Sequence, residues 1–285
     1  MKKQYKKKDI AKMITDKIIE QLKNGVAPWT KNYTVPFPKN YITNNNYNGV
    51  NTFMLLYEAQ EKNYASSYWL TFNQIRTLDK KLIKDSKGVP VVYYKMFTPK
   101  EDLKLPKNEQ RKIPMLRYST VFNASCVDGL EIDAKKENET ILTGQEILNA
   151  YKNKPVINHA PCTPSYAPGL DIIQLPSINN FKTSDHYYKT LFHELAHSTG
   201  HKSRMNRTLD SVSTSKVNYS KEELIAELTS MFLSTKAGLK VDTANTTAYC
   251  QSWLKALEND PKMIITASSK AQKVYNYILD QDSIK

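Results

Sequence analysis

Apolar residues recur at helical spacing over residues 9–24 (DIAKMITDKIIEQLKN), where Ile10, Met13, Ile14, Ile18 and Leu22 share one face and Gly25 supplies a stop. Residues 26–50 break this periodicity with three prolines, many asparagines and interleaved aromatics, and read as loop. A short helix is expected over 51–63. Residues 68–78 (YWLTFNQIRTL) open with aromatic strand character and turn towards helix. After the turn at Lys87-Gly88, VPVVYYKMF (89–97) has the composition of a strand, and LRYSTV (116–121) is suited to pair with it. The polar segment 98–113 between them reads as an exposed loop.

Residues 129–140 (GLEIDAKKENET) are charged and poor in apolar positions, which marks a linker. Beyond it the pattern becomes mainly helical: from Thr143, through 187–200, then over 221–237, 243–258 and 261–280, with Asp260-Pro261 as an N-cap and N1 pair. LDIIQL (170–175), between Pro168 and Pro176, is a short strand, and 202–218 is irregular. The expected fold class is therefore α+β in two domains. An α+β domain spans 1–130, a linker 131–142, and a mainly helical domain with a small sheet 143–285. No internal repeat is visible.

With 285 residues, 40% of them hydrophobic and 24% charged, the chain can bury a substantial core. No apolar run approaches the roughly 20 residues that span a bilayer, so no membrane partner is expected. The start, MKKQYKKKD, leads into an amphipathic pattern and lacks the apolar stretch of a signal peptide. Cys126, Cys162 and Cys250 are odd in number and widely spaced, as expected of free thiols in a reducing cytoplasm.

Charge separates the halves. Residues 1–130 hold 23 Lys and Arg against 11 Asp and Glu, a net of +12, while the rest of the +13 total is a single charge. A lysine-rich surface of general origin would charge both halves alike. The asymmetry points to a polyanion, most simply nucleic acid, at the first half. That half also carries two Trp, ten Tyr and five Phe. Cations among aromatic faces suit single strands, and no helix-turn-helix or zinc-finger pattern indicates duplex reading. Trp29, Lys31, Tyr33, Lys39, Trp69, Arg76, Tyr93, Tyr94 and Lys95 are the candidate contacts.

The chemistry is concentrated in YYKTLFHELAHSTG (187–200). His193, Glu194 and His197 spell H-E-x-x-H; at i and i+4 both imidazoles share a helix face and can meet one metal ion. Glu194, one step round, is placed to act as a base towards water, the arrangement of a zinc hydrolase of the metallopeptidase type. Thr183, Ser184 and Asp185 are N-cap candidates, and Gly200 suits the C-terminal end. LDIIQL beside such a helix is expected to be the edge strand along which a peptide is laid.

A third ligand is needed. His201 follows His197 too closely for the metzincin spacing and is expected to stand behind the ligands or towards substrate. In YSKEELIAEL (219–228), Glu223 and Glu227 share a helix face, so Glu223 is expected to ligate and Glu227 to orient a histidine, with the reverse assignment open and Glu222 a weaker option. Ser220-x-x-Glu223 also reads as a capping box, which would occupy Glu223 otherwise. His201, Tyr187, Tyr188 and Tyr219 are the candidates for steadying a developing oxyanion.

IIEQLKNGVAPW (18–29), YNGVNTFML (47–55), SSYWLTFNQ (66–74), YSTVFNAS (118–125), YYKTLFHELAHSTGHKSRMNR (187–207), YSKEELIAEL (219–228) and the tail from Ser252 to Leu279 together resemble the ArdC-type antirestriction proteins of plasmids and mobile elements, over nearly the whole chain. The resemblance implies an N-terminal single-stranded-DNA-binding domain followed by a zincin-like metallopeptidase domain. It also implies protection of incoming DNA from host restriction, one Zn2+ held by His193, His197 and Glu223, and Glu194 as general base. One departure is Ala124-Ser125-Cys126, where the family pattern after VFN ends in Gln. The expected partners are single-stranded DNA and an unidentified protein substrate met on it. The alternative is a non-catalytic protein that shields DNA by occupancy, its metal site structural or vestigial. A further alternative is a peptidase acting on a soluble regulator, with the basic half as a protein-docking surface.

Overall fold

The computed structural model describes residues 9–24, 27–28, 36–132, 142–207, 216–240 and 247–280. Helix α1 (Ile10–Lys23) is capped by Asp9, whose carboxylate accepts the Lys12 N–H, and it turns Ala11, Ile14, Ile18 and Leu22 inward. Strand β1 (Lys39–Asn40) precedes α2 (Val50–Glu61), which buries Phe53, Met54, Leu55 and Leu56. Strand β2 (Tyr68–Thr71) runs straight into α3 (Phe72–Thr77) through a Thr71–Gln74 capping box, which explains the change of pattern in mid-segment.

Strands β3 (Lys81–Leu82) and β6 (Val127–Asp128) form a small ribbon. The long strands β4 (Val89–Phe97) and β5 (Ile113–Asn123) pair antiparallel from Val89↔Val121 to Phe97↔Ile113. They lie at one side of a sheet ordered β1-β2-β5-β4. The polar connection between them contains a 3-10 turn at Lys100–Lys104, pinned by the buried Asp102, which accepts from Arg111 Nε at 2.7 Å and Nη2 at 2.8 Å.

The second half opens on α4 (Gly144–Ala150), behind a Thr143–Glu146 capping box. It continues with β7 (Val156–His159), β8 (Ser165–Ala167) and β9 (Ile172–Leu175). Helices α5 (Ser184–Ser198), α6 (Lys216–Lys236), α7 (Thr247–Asn259) and α8 (Met263–Ile278) follow. The small sheet is ordered β7-β9-β8, with β9 parallel to β7 and antiparallel to β8. The strand expected at the edge is thus the central one: both sides of β9 are used in pairing, and the outer strand next to α5 is β8. Asp260-Pro261 forms the turn before α8; the Asp260 side chain accepts the Lys262 N–H, and the helix begins at Met263.

One continuous apolar cluster joins the halves. Phe37 packs between Phe232 and Tyr275, with centroids 6.3 and 5.5 Å away. Thr15 Oγ1 donates to the Pro261 carbonyl at 2.6 Å. Gly49, at φ +59°, places its backbone where an added Cβ would sit 3.5 Å from the Ser268 carbonyl oxygen, and donates to Gln272 Oε1. Cys126 and Cys162 are free thiols. The Cys250 side chain and most of the linker expected at 131–142 (133–141) lie outside the described residues.

Candidate metal centre and basic hairpin

Thr183 caps α5 by accepting the His186 N–H, and Leu191, Phe192, Leu195 and Ala196 are fully buried on one side. That burial fixes the roll of the helix and leaves His193 and His197 facing α6. Helix α6 begins at Lys216, so Ser220 lies inside it and cannot serve as an N-cap. Glu223 is therefore released from the capping box. Leu224, Ile225, Leu228 and Phe232 are buried beside it, and Ser230 Oγ donates to the Lys189 carbonyl at 2.8 Å, tying the two helices together.

Three side chains converge. His193 Nε2 and His197 Nε2 stand 3.1 Å apart. Glu223 offers Oε2 at 3.4 Å from the first and Oε1 at 3.4 Å from the second. A tetrahedral ion bound at about 2.0–2.1 Å separates its donor atoms by about 3.3 Å, so the three groups fit one divalent ion. Two imidazoles and a carboxylate also form a donor set that suits zinc. Among the described residues no other His, Cys, Asp and Glu cluster has this geometry.

The charged groups of the cluster act strongly on one another. Burial alone would lower both histidines, but carboxylates outweigh it: Glu223 and Glu227 raise His193, and Glu222 and Glu223 lift His197 to about 10. Burial pushes Glu223 up, and the two imidazoles more than reverse that, holding it well below the usual carboxylate range. Glu194 is 7% exposed; burial raises its carboxyl, with His193 and His197 opposing.

Carboxylates also stand behind the rings. Glu227 Oε1 is 3.5 Å from His193 Nδ1, where the helix-face argument places it. Glu222 Oε1 is 3.5 Å from His197 Nδ1 and is also bonded to Arg207. Glu222, the weaker of the ligand options, thus stands behind a ring, and Arg207 follows the helix in a stretch whose lack of periodicity gives no signal for it. His201 lies past the end of α5, its Nδ1 2.7 Å from Ser203 Oγ and 3.9 Å from Asp171. Tyr187 is bonded to His159 at 3.0 Å, and Tyr188 OH donates to Gln145. The Tyr219 side chain lies outside the described residues.

In the basic half, β4 and β5 present Tyr93, Lys95 and Phe97 on one face with Arg117 and Ile113 across from them. All five are exposed; Tyr93 is 49% accessible and Phe97 42%. Phe97 and Arg117 escaped the sequence reading, although period-two alternation from Tyr93 would have reached Phe97. Arg76 is exposed at the end of α3, and Lys39 is half-buried in β1. Trp69 is corrected: at 1% exposure it packs edge-on against Tyr64 in the core, out of reach of a nucleobase. Trp29, Lys31, Tyr33 and the Tyr94 side chain lie outside the described residues. At the departure from the family pattern, Ala124 and Cys126 are buried and Ser125 is exposed. No helix among the described residues is long and apolar enough to cross a membrane.

Comparison with known proteins agrees with this architecture. Residues 8–122 match the family described as the N-terminal domain of anti-restriction factor ArdC, and residues 146–270 match the zincin-like metallopeptidase family. The chain is 32% identical over 295 residues to a DNA primase TraC of Escherichia coli, covering 96% of this chain but only 20% of that protein. It is 31% identical to the uncharacterized protein y4eC of Sinorhizobium fredii, covering 96% of this chain and 93% of the relative. The metal-free crystal structure of the antirestriction protein ArdC of plasmid R388 superposes with a TM-score of 0.80 at 33% identity, over 97% of this chain and 99% of that one. A Mn(II)-bound structure of the same protein superposes at 0.77. The chain belongs to the ArdC antirestriction family and carries a zincin-like domain behind the ArdC N-terminal domain.

Proposed function

We propose that this chain binds single-stranded DNA through its basic half, residues 1–130, and hydrolyses a protein met on that DNA at a zinc site in residues 143–285, protecting incoming DNA of a mobile element from host restriction in the cytoplasm. The observation that carries this is the convergence of His193 Nε2, His197 Nε2 and the Glu223 carboxylate on one point, with Glu194 on the same helix. His193, His197 and Glu223 would hold one Zn2+ per chain. When bound, the ion supplies Lewis acidity to a peptide carbonyl and acidifies a water.

The chain's own residues do the rest. Glu194, made more basic by burial, takes the proton of the attacking water and passes it to the leaving amine. Glu227 supports His193 from behind. Tyr93 and Phe97 offer faces for bases, and Lys95 and Arg117 charge for phosphates. Tethering to DNA raises the local concentration of a DNA-bound protein substrate.

Glu194→Ala separates hydrolysis from shielding. Protection of transferred DNA should disappear while zinc and DNA binding persist; full protection by this variant would leave occupancy alone as the function.

A further inference from the structure

His197 is supported on the side away from Glu223 by a closed circuit of side chains. Glu222 is 7% exposed, and its Oε1 lies 3.5 Å from His197 Nδ1. The same oxygen accepts from Arg207 Nη2 at 2.7 Å, and Oε2 is 3.4 Å from Arg207 Nε. Arg207 in turn donates to the Ala196 carbonyl at 2.9 Å and to Thr199 Oγ1 at 2.6 Å, both at the C-terminal end of α5. The loop therefore runs from the metal helix through His197, Glu222 and Arg207 back to the metal helix. Glu227 behind His193 differs: it is more exposed, and no arginine is bonded to it among the described residues.

We infer that Glu222, clamped by Arg207, is a positioning residue for His197: it fixes the ring's tautomer and angle and so sets the affinity and geometry of the metal centre. This rests on the metal-site reading above. A neutral imidazole that offers Nε2 to an ion must carry its proton on Nδ1, and that N–H needs an acceptor. Glu222 is the carboxylate at that nitrogen. Arg207 grips both carboxylate oxygens, Oε1 through Nη2 and Oε2 through Nε, and so holds Glu222 in one rotamer beside the ring. The same contacts lock the guanidinium to the end of α5, so the acceptor and the ring it serves move as one unit.

The test uses the full chain with Zn2+ as probe, in competition with a chromogenic chelator, and Co2+ as a spectroscopic substitute. Glu222→Met keeps the length of the side chain but removes the acceptor. It should weaken Zn2+ binding by about 10- to 100-fold, the usual reach of such partners, and alter the visible spectrum of the Co2+ form. Glu222→Gln retains an acceptor oxygen and should restore part of the affinity, a rescue that packing alone would not produce. Arg207→Met should weaken binding in the same direction and add nothing further in the Glu222→Met background, because the two act through one contact. That double variant leaves no charge buried alone and keeps the test open if a single variant folds poorly. Wild-type affinity and an unchanged Co2+ spectrum in Glu222→Met, or additive losses in the double variant, would overturn the inference. Glu223→Ala runs alongside: if it too binds Zn2+ as the wild type does, the metal-site reading itself has failed, and the two failures are told apart.

Discussion

Tyr166 OH, on the outer strand of the small sheet, donates to Asp171 Oδ1 at 2.7 Å. Arg204, whose side chain is 3% exposed, is ion-paired to Asp171 and donates to the Ser198 carbonyl at the end of α5. The small sheet and α5 are therefore joined at the helix terminus.

Asp171 should make stability depend on acid. Its bonds to Arg204 hold its pKa below the ordinary 3.8, against the effect of burial. A depressed carboxylate contributes stability above the unfolded value, near pH 4, and loses it as pH falls through the folded one. Asp171→Asn should cost about 1–2 kcal/mol at pH 7, with part of the effect screened by solvent, and should flatten the acid limb of a melting-temperature profile below pH 4. A variant whose acid limb parallels the wild type would remove Asp171 from this role.

The aromatics of the basic half should divide by burial. Trp69→Ala opens a cavity and should destabilise the fold by about 3–5 kcal/mol in denaturant titration. Tyr93→Ala should leave stability nearly unchanged and weaken binding to an oligothymidylate by about 1–3 kcal/mol. If Tyr93→Ala binds like the wild type, the exposed hairpin face is not where bases stack.

Charge on the same face should show in salt dependence. Lys95→Gln and Arg117→Gln should each reduce the slope of log affinity against log salt by about 0.7, the value for one phosphate contact on a single strand. Unchanged slopes would place the strand elsewhere on the basic half. An absence of steep salt dependence in the wild type would favour a protein-docking surface there.

Much of this arrangement was legible in the residues. The β4 strand falls where VPVVYYKMF placed it, and α5 and α6 bring His193, His197 and Glu223 together, whereas helix-face spacing alone left Glu223 and Glu227 interchangeable. What escaped depends on tertiary context. Strand β8 is three residues, too short to show a period, and only sheet order makes it the outer strand. Ser220 imitated a cap because α6 starts a turn earlier than its apolar pattern indicates. Trp69 sits in a strand buried on both faces, where alternation carries no signal. Arg207 reaches Glu222 from irregular chain, which no periodicity predicts.

The central claim is tested most directly by counting metal. Purified wild-type chain, Glu223→Ala and Glu227→Ala would be loaded with Zn2+, dialysed, and measured for ions per chain. One ion is predicted in the wild type, one more weakly held in Glu227→Ala, and none in Glu223→Ala. Retention of a full ion by Glu223→Ala would contradict the site described.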